Sequence, residues 1–347
     1  MQTAAPPSHI EALNAADARR ALARGYPIAL ASAALLSTTA IFIRYLTNTY
    51  AVPALVLALW RDIFVVATLL PVLAFASPRR LRVTRPQLRY LLLYGLGLSV
   101  FNALWTLSVA LNGAAAATVL VYCSVGFTAV LGRWLFAERL DAAKVLAVAL
   151  SLGGCVLVSR AYDPGAWRSN VLSIATGVLS GLGYASYTLM GRSASRRGLD
   201  PWTTLLYTFG GATIFLLAFN LIPGGIVPGG AKAPAEILWL GSAWAGWAAL
   251  FMLAAGPTVL GFGLYNVSLT YLASSVVNLI VTLEPIFTAL IAYAVLGERL
   301  APLQIAGGFV ILSGVVVLRL DEERRAREVS GTRRLRPAEA RARTRLP

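Results

Sequence analysis

Four groups of polar side chains stand in stretches that are otherwise almost entirely apolar, and each group is of a type that can bind or move a charge. Arg61 and Asp62 are neighbours within the run Ala54 to Ala76. A guanidinium presents N–H donors in a fixed fork that matches a carboxylate, so Arg61 is a candidate for holding the carboxylate of a solute. Adjacent residues on a helix point about 100° apart, so Asp62 cannot face the same pocket squarely. The competing reading is that Asp62, or a carboxylate on a neighbouring helix, neutralises Arg61.

Glu284 precedes Pro285 in a second apolar run. Proline removes a backbone donor and breaks the turn behind it, which leaves carbonyls free where they line a cavity. A glutamate at such a break is a candidate proton carrier; a fixed salt bridge to Arg61 is the alternative. Thr118 with Tyr122, and Asn278 with Thr282, each have i, i+4 spacing and so share one helix face. The two faces are expected to meet at the centre and line a pocket, against the alternative of polar contacts between helices. Asn102 with Trp105, Tyr184 with Tyr187, and Tyr265 with Asn266 supply apolar faces with hydrogen-bonding edges, which suit a small amphipathic solute. Polar groups in lipid are costly unless paired or facing a cavity, so every one of these residues is a candidate site residue.

The elements that position them are duplicated. Phe127-Thr128-Ala129 and Glu138-Arg139-Leu140 recur as Phe287-Thr288-Ala289 and Glu298-Arg299-Leu300 at one constant offset. The same offset carries Val121 onto Val281, Gly154 onto Gly314 and Trp105 onto Tyr265. Runs long enough to cross a bilayer, about 20 apolar residues, occur near Pro27 to Leu46, Ala54 to Ala76, Tyr90 to Ala110, Ala114 to Leu135 and Lys144 to Val158. The second half gives Val171 to Met190, Trp202 to Ile222, Trp247 to Leu269, Ser274 to Leu296 and Pro302 to Leu318. The expected fold is all-α, a polytopic membrane protein of ten transmembrane helices in two inverted five-helix repeats, 27–160 and 171–320. A segment 1–26 leads in, and a basic tail 321–347, expected to be disordered, follows.

Composition bounds the function. Hydrophobic residues make up 58% of the chain, charged residues 13%, and the mean hydropathy is +0.70; soluble domains carry about a quarter charged residues. The net charge of +15 invites a nucleic-acid partner, but the basic residues lie in short connections and the tail. Arg79 to Arg89, Arg139 and Lys144, Arg192 to Arg197 and the ten arginines from Arg319 to Arg345 fall on one side. Arg160, Arg168, Lys232 and Arg299 fall on the other. This asymmetry places both termini in the cytoplasm, and five spans per repeat then make the second repeat enter from the opposite face. One histidine and two cysteines within apolar runs support neither a metal nor a disulfide framework. No cofactor and no nucleic acid are expected; the expected partners are a small-molecule solute, membrane lipid and, through Glu284, protons.

The doubled phrases, Phe127-Thr128-Ala129 to Leu140 and Glu284-Pro285-Ile286-Phe287-Thr288-Ala289 to Gly297-Glu298-Arg299-Leu300, together with the span count, resemble the EamA-type members of the drug/metabolite transporter superfamily. The resemblance covers nearly all of Pro27 to Leu318. It implies a bacterial inner-membrane carrier that exports amino acids, related metabolites or drugs by alternating access, with a central cavity lined by spans three, four, eight and nine. The first repeat has Ser124-Val125 where the second has Glu284-Pro285, which predicts that span four bends less than span nine. Glu138-Arg139 and Glu298-Arg299 are expected to tie loops and contact the adjoining helix. The competing functions are a membrane-embedded enzyme acting on lipid-linked substrates, for which no cluster of catalytic acids, bases or metal ligands is present in the sequence, and a structural or sensory membrane protein. No phosphate-binding loop for ATP occurs.

Overall fold

The computed structural model describes residues 9–136, 142–160, 162–164, 170–222, 226–238, 240–271, 277, 280–317, 320–321 and 324; for residues 9–22, 135, 136, 266, 269 and 270 it describes the backbone alone. Among the described residues all regular structure is helical. The first half forms α1 (His9–Thr49), α2 (Ala54–Ala76), α3 (Arg85–Asn112), α4 (Ala114–Val121), α5 (Ser124–Phe136) and α6 (Ala142–Val158). The second forms α7 (Val171–Arg196), α8 (Pro201–Asn220), α9 (Trp244–Leu253), α10 (Phe262–Tyr271), α11 (Glu284–Ile291) and α12 (Pro302–Val317). Wider π-helical turns, Ala254–Gly261 and Ala292–Leu296, join α9 to α10 and extend α11.

Among the described residues, six segments are long and apolar enough to cross a membrane: Ala23–Thr49, Ala54–Ala76, Arg85–Asn112, Ala114–Trp134, Pro201–Asn220 and Trp244–Tyr265. The chain is therefore a polytopic, all-helical membrane protein. Ala142–Val158, Glu284–Leu296 and Pro302–Val317 are apolar but shorter, and α7, although 26 residues long, is diluted by glycine and serine.

Local sequence explains where helices begin. Thr84 accepts from the Gln87 backbone N–H while its own N–H donates to the Gln87 side chain at 2.9 Å, a reciprocal cap for α3. Asp200 accepts from the N–H groups of Trp202 and Thr203 and caps α8, with Pro201 at the first helical position. Thr203 and Tyr207 then donate to the carbonyls of Arg80 and Leu81, at 2.8 and 2.6 Å, so α3 and α8 start at the same end of the bundle.

The two halves interleave. α3 packs against α7 and α8, and α2 against α8, while α1 lies against the α9–α10 segment and α11. Glycine permits the closest of these approaches: a Cβ on Gly95 would stand 2.9 Å from Gly211 Cα, and one on Gly154 of α6 only 2.6 Å from the Gly307 carbonyl of α12. Gly153, its neighbour, faces open space, so only one of that glycine pair serves packing.

Span four is broken, contrary to the expectation that it bends less than span nine. α4 ends at Val121 and α5 begins at Ser124, and the register matches the interruption at Thr282 and Leu283 before α11. The Tyr122 and Cys123 N–H groups bond three residues back, to Val119 and Leu120, at 3.1 and 3.0 Å. No proline is needed, because α7 receives the distorted turn: a Cβ on Gly177 would meet Leu120 at 2.6 Å and one on Gly181 would meet Cys123 Sγ at 2.4 Å. The packing partner supplies what proline supplies in the second repeat. Glu138-Arg139, Asn278 and the tail from 325 onward lie outside the described residues.

Candidate functional site

The two breaks face one cavity of about 260 Å3. It is lined from the first half by Arg61 of α2, Leu98, Phe101 and Trp105 of α3, and Val121 and Tyr122 at the first break. The second half contributes Tyr184 and Tyr187 of α7, Thr258, Phe262 and Tyr265 of the α9–α10 segment, and Val281 and Glu284 at the second break. Seven of the residues singled out from sequence thus share one space: Arg61, Trp105, Tyr122, Tyr184, Tyr187, Tyr265 and Glu284.

Arg61 is almost wholly buried, as is Asp62. Its Nε donates to Asp62 Oδ1 at 3.2 Å, and Asn102 Nδ2 donates to Asp62 Oδ2 at 2.7 Å. Both carboxylate oxygens of Asp62 are thereby engaged. The competing reading of the sequence, neutralisation of Arg61 by its neighbour, describes this pair, and Arg61 is also among the residues lining the cavity. Asn102, expected to line the pocket, instead sits behind it and holds Asp62.

Glu284 is not joined to Arg61. Tyr122 Oη lies 3.0 Å from Glu284 Oε2 and 3.0 Å from the Val281 carbonyl oxygen. The carbonyl is orphaned by sequence: it would receive the N–H of residue 285, and Pro285 has none. A side chain at the break of the first repeat thus bonds to the break of the second. Of the expected polar faces only part meets here. Thr118 is buried with no hydrogen-bond partner for Oγ1, Thr282 is buried outside the lining, and Pro285 faces a separate groove between α4, α11 and α12.

One wall is aromatic. Phe101, Tyr184 and Tyr187 lie with ring centroids 5.4 to 6.4 Å apart, and Tyr94 continues the column 5.0 Å from Tyr187. Such a wall offers π faces to an apolar body or a cation. A smaller hollow of about 190 Å3 shares Tyr187, Phe262 and Tyr265 and runs past Gly191 and Ser195 toward the α7–α8 turn.

The opposite end of α3 is closed. Glu298 accepts from the N–H groups of Ala114 and Ala115 at 2.9 and 3.0 Å, and pairs with Arg44 of α1 at 3.2 Å. The carboxylate meets both a cation and the positive end of α4. Arg44 also donates to the Ala110 carbonyl. Glu298 thus contacts an adjoining helix as its recurrence suggested. Arg44 was missed by sequence reasoning, although an arginine inside the apolar run Ile41 to Leu46 was the available signal. Thr258 was missed as well; its signal was Pro257, whose missing N–H accompanies the π-helical turn where Thr258 Oγ1 bonds back to Leu253 at 3.1 Å.

The model of the EamA-like transporter family matches this chain twice, over residues 23–160 and 171–320. An uncharacterized transporter of Archaeoglobus fulgidus is 28% identical over 226 residues, 64% of this chain and 74% of that protein. The threonine/homoserine exporter RhtA of Escherichia coli is 28% identical over 259 residues, 74% of this chain and 80% of that protein. A solved crystal structure covering 85% of this chain and 96% of its own superposes with a TM-score of 0.53 at 19% identity, which establishes a shared fold. With its two matched repeats and their breaks meeting at one cavity, the chain belongs to the EamA-like transporter family.

Proposed function

We propose that the chain is a secondary transporter that exports small organic solutes, amino acids or related metabolites, by alternating access, with proton coupling at Glu284. The observation that carries this reading is the cavity at the meeting of the two helix breaks, with one guanidinium, one carboxyl and an aromatic wall as its lining. Arg61 has N–H groups beyond the one used by Asp62 with which to hold a solute carboxylate. Trp105, Tyr184, Tyr187 and Tyr265 would pack its body, and Tyr122 and Glu284 would meet its polar end. Asn102, Thr118 and Thr282 support the lining from behind in this reading, and Pro285 sets the break.

In the same reading ten spans form two inverted repeats, 27–160 and 171–320, in a bacterial inner membrane with 1–26 and 321–347 in the cytoplasm. The basic connections favour that orientation. The hollow toward the α7–α8 turn then leads to the cytoplasm, and Glu298 with Arg44 closes the outer end. The relative that exports threonine and homoserine makes amino acids the first solutes to try. Counterflow in sealed proteoliposomes, with radiolabelled amino acids, carboxylates and purines offered in turn, tests the proposal. Saturable counterflow of one solute class supports it, and flux that rises linearly with concentration for every solute overturns it.

A further inference from the structure

Tyr122 has one phenolic proton and two acceptors equally near it, the Val281 carbonyl and Glu284 Oε2, each at 3.0 Å. Both contacts are full two-centre hydrogen bonds at once when Glu284 carries its own proton and donates it to the phenol oxygen, while the phenol donates to the carbonyl. When Glu284 is ionised, the carboxylate claims the phenolic proton, because a bond to a charged acceptor is about twice as strong as one to a neutral acceptor. The Val281 carbonyl, already deprived of its helical donor by Pro285, then loses the phenolic donor too, at a residue that lines the cavity.

We propose that the ionised form of this cluster is an ammonium site, in which Glu284 and the uncapped Val281 carbonyl accept the N–H groups of a primary amine, and that Tyr122 closes the site when Glu284 is protonated. The proposal rests on the reading of the cavity as the solute site, and adds the chemical class of the solute: primary amines protonated at neutral pH. A proton and an ammonium group exclude one another here. The Glu284 proton leaves to water as the amine enters, and the total charge at the cluster is the same in both states. The other titratable groups facing the cavity are Arg61 of α2, Tyr184 and Tyr187 of α7 and Tyr265 of α10. Arg61 is compensated by Asp62, so it does not discharge Glu284. The aromatic wall adds π faces to which a cation is attracted.

The test is isothermal titration calorimetry on the purified full-length protein with four probes: L-threonine, L-homoserine, threonine methyl ester and N-acetyl-threonine. The three free amines should bind saturably near neutral pH, and the two amino acids more weakly in acid than in mild alkali; the N-acetyl compound, which has no ammonium, should not bind. Glu284→Gln keeps the size of the side chain and mimics its neutral form, and should weaken amine binding about tenfold or more and remove the pH dependence. Pro285→Ala returns a backbone N–H to the Val281 carbonyl and should weaken amine binding with Glu284 intact. Tyr122→Phe should bind amines and lose less affinity between mild alkali and acid than the wild type does. Amine affinity unchanged in Glu284→Gln, or binding of N-acetyl-threonine as tight as threonine, would overturn the ammonium site and leave the transporter reading standing. Binding by none of the four probes, together with counterflow of no solute, would overturn both.

Discussion

Arg61 is tolerated in an apolar bundle because Asp62 neutralises it, and Asn102 holds Asp62 in place. A buried charge stripped of its partner is worse than no pair at all, with a cost of about 3–5 kcal/mol. Asp62→Asn should therefore lower the melting temperature of the detergent-solubilised protein strongly, and Arg61→Met added to it should recover much of the loss. A double variant no more stable than Asp62→Asn would show that the pair does not act as a unit. Residue identity made this site legible in advance: arginine, glutamate and tyrosine stand out in apolar runs, and seven of the expected residues do share the cavity. What identity did not disclose was rotation. Asn102 and Trp105 are three apart on α3, yet one engages Asp62 and the other lines the cavity, because the facing helices, not the spacing, decide which side chain reaches open space.

At the scale of elements, hydropathy located the long apolar helices, with Ala54–Ala76 read to the residue, while the caps at Thr84 and Asp200 emerged only in the structure. The break in span four did not, since its cause is the glycine face of α7 rather than a residue in the span itself. The approach of α6 to α12 depends on Gly154 in the same way. Gly154→Leu should destabilise the protein by roughly 1–3 kcal/mol through overpacking, while Gly153→Ala should leave the melting temperature nearly unchanged. Equal losses from both would contradict the packing described. At the closed end, Gly113 has φ of +84° and a Cβ there would stand 2.9 Å from Glu298 Oε1. Gly113→Ala should weaken the cap on α4 and cost about 1–3 kcal/mol through backbone strain. Glu298→Gln, which removes only the charge, should cost less, about 1 kcal/mol.

At the scale of the whole molecule, the duplication read from the sequence has a matching feature in space: two breaks at equivalent positions, one from each half, joined across a cavity by Tyr122. The family membership makes the chain a membrane transporter, and the Tyr122 contact between the breaks offers a way for chemistry in the cavity to bias both halves together. The most direct measurement is uptake of radiolabelled L-threonine and L-homoserine into sealed proteoliposomes, with and without an imposed proton gradient, for wild type and Glu284→Gln. The account predicts saturable uptake that the gradient drives in the wild type and does not drive in the variant. Saturable, gradient-driven uptake of equal rate in both would contradict it, because the carboxyl at the second break would then be neither the proton carrier nor part of the solute site.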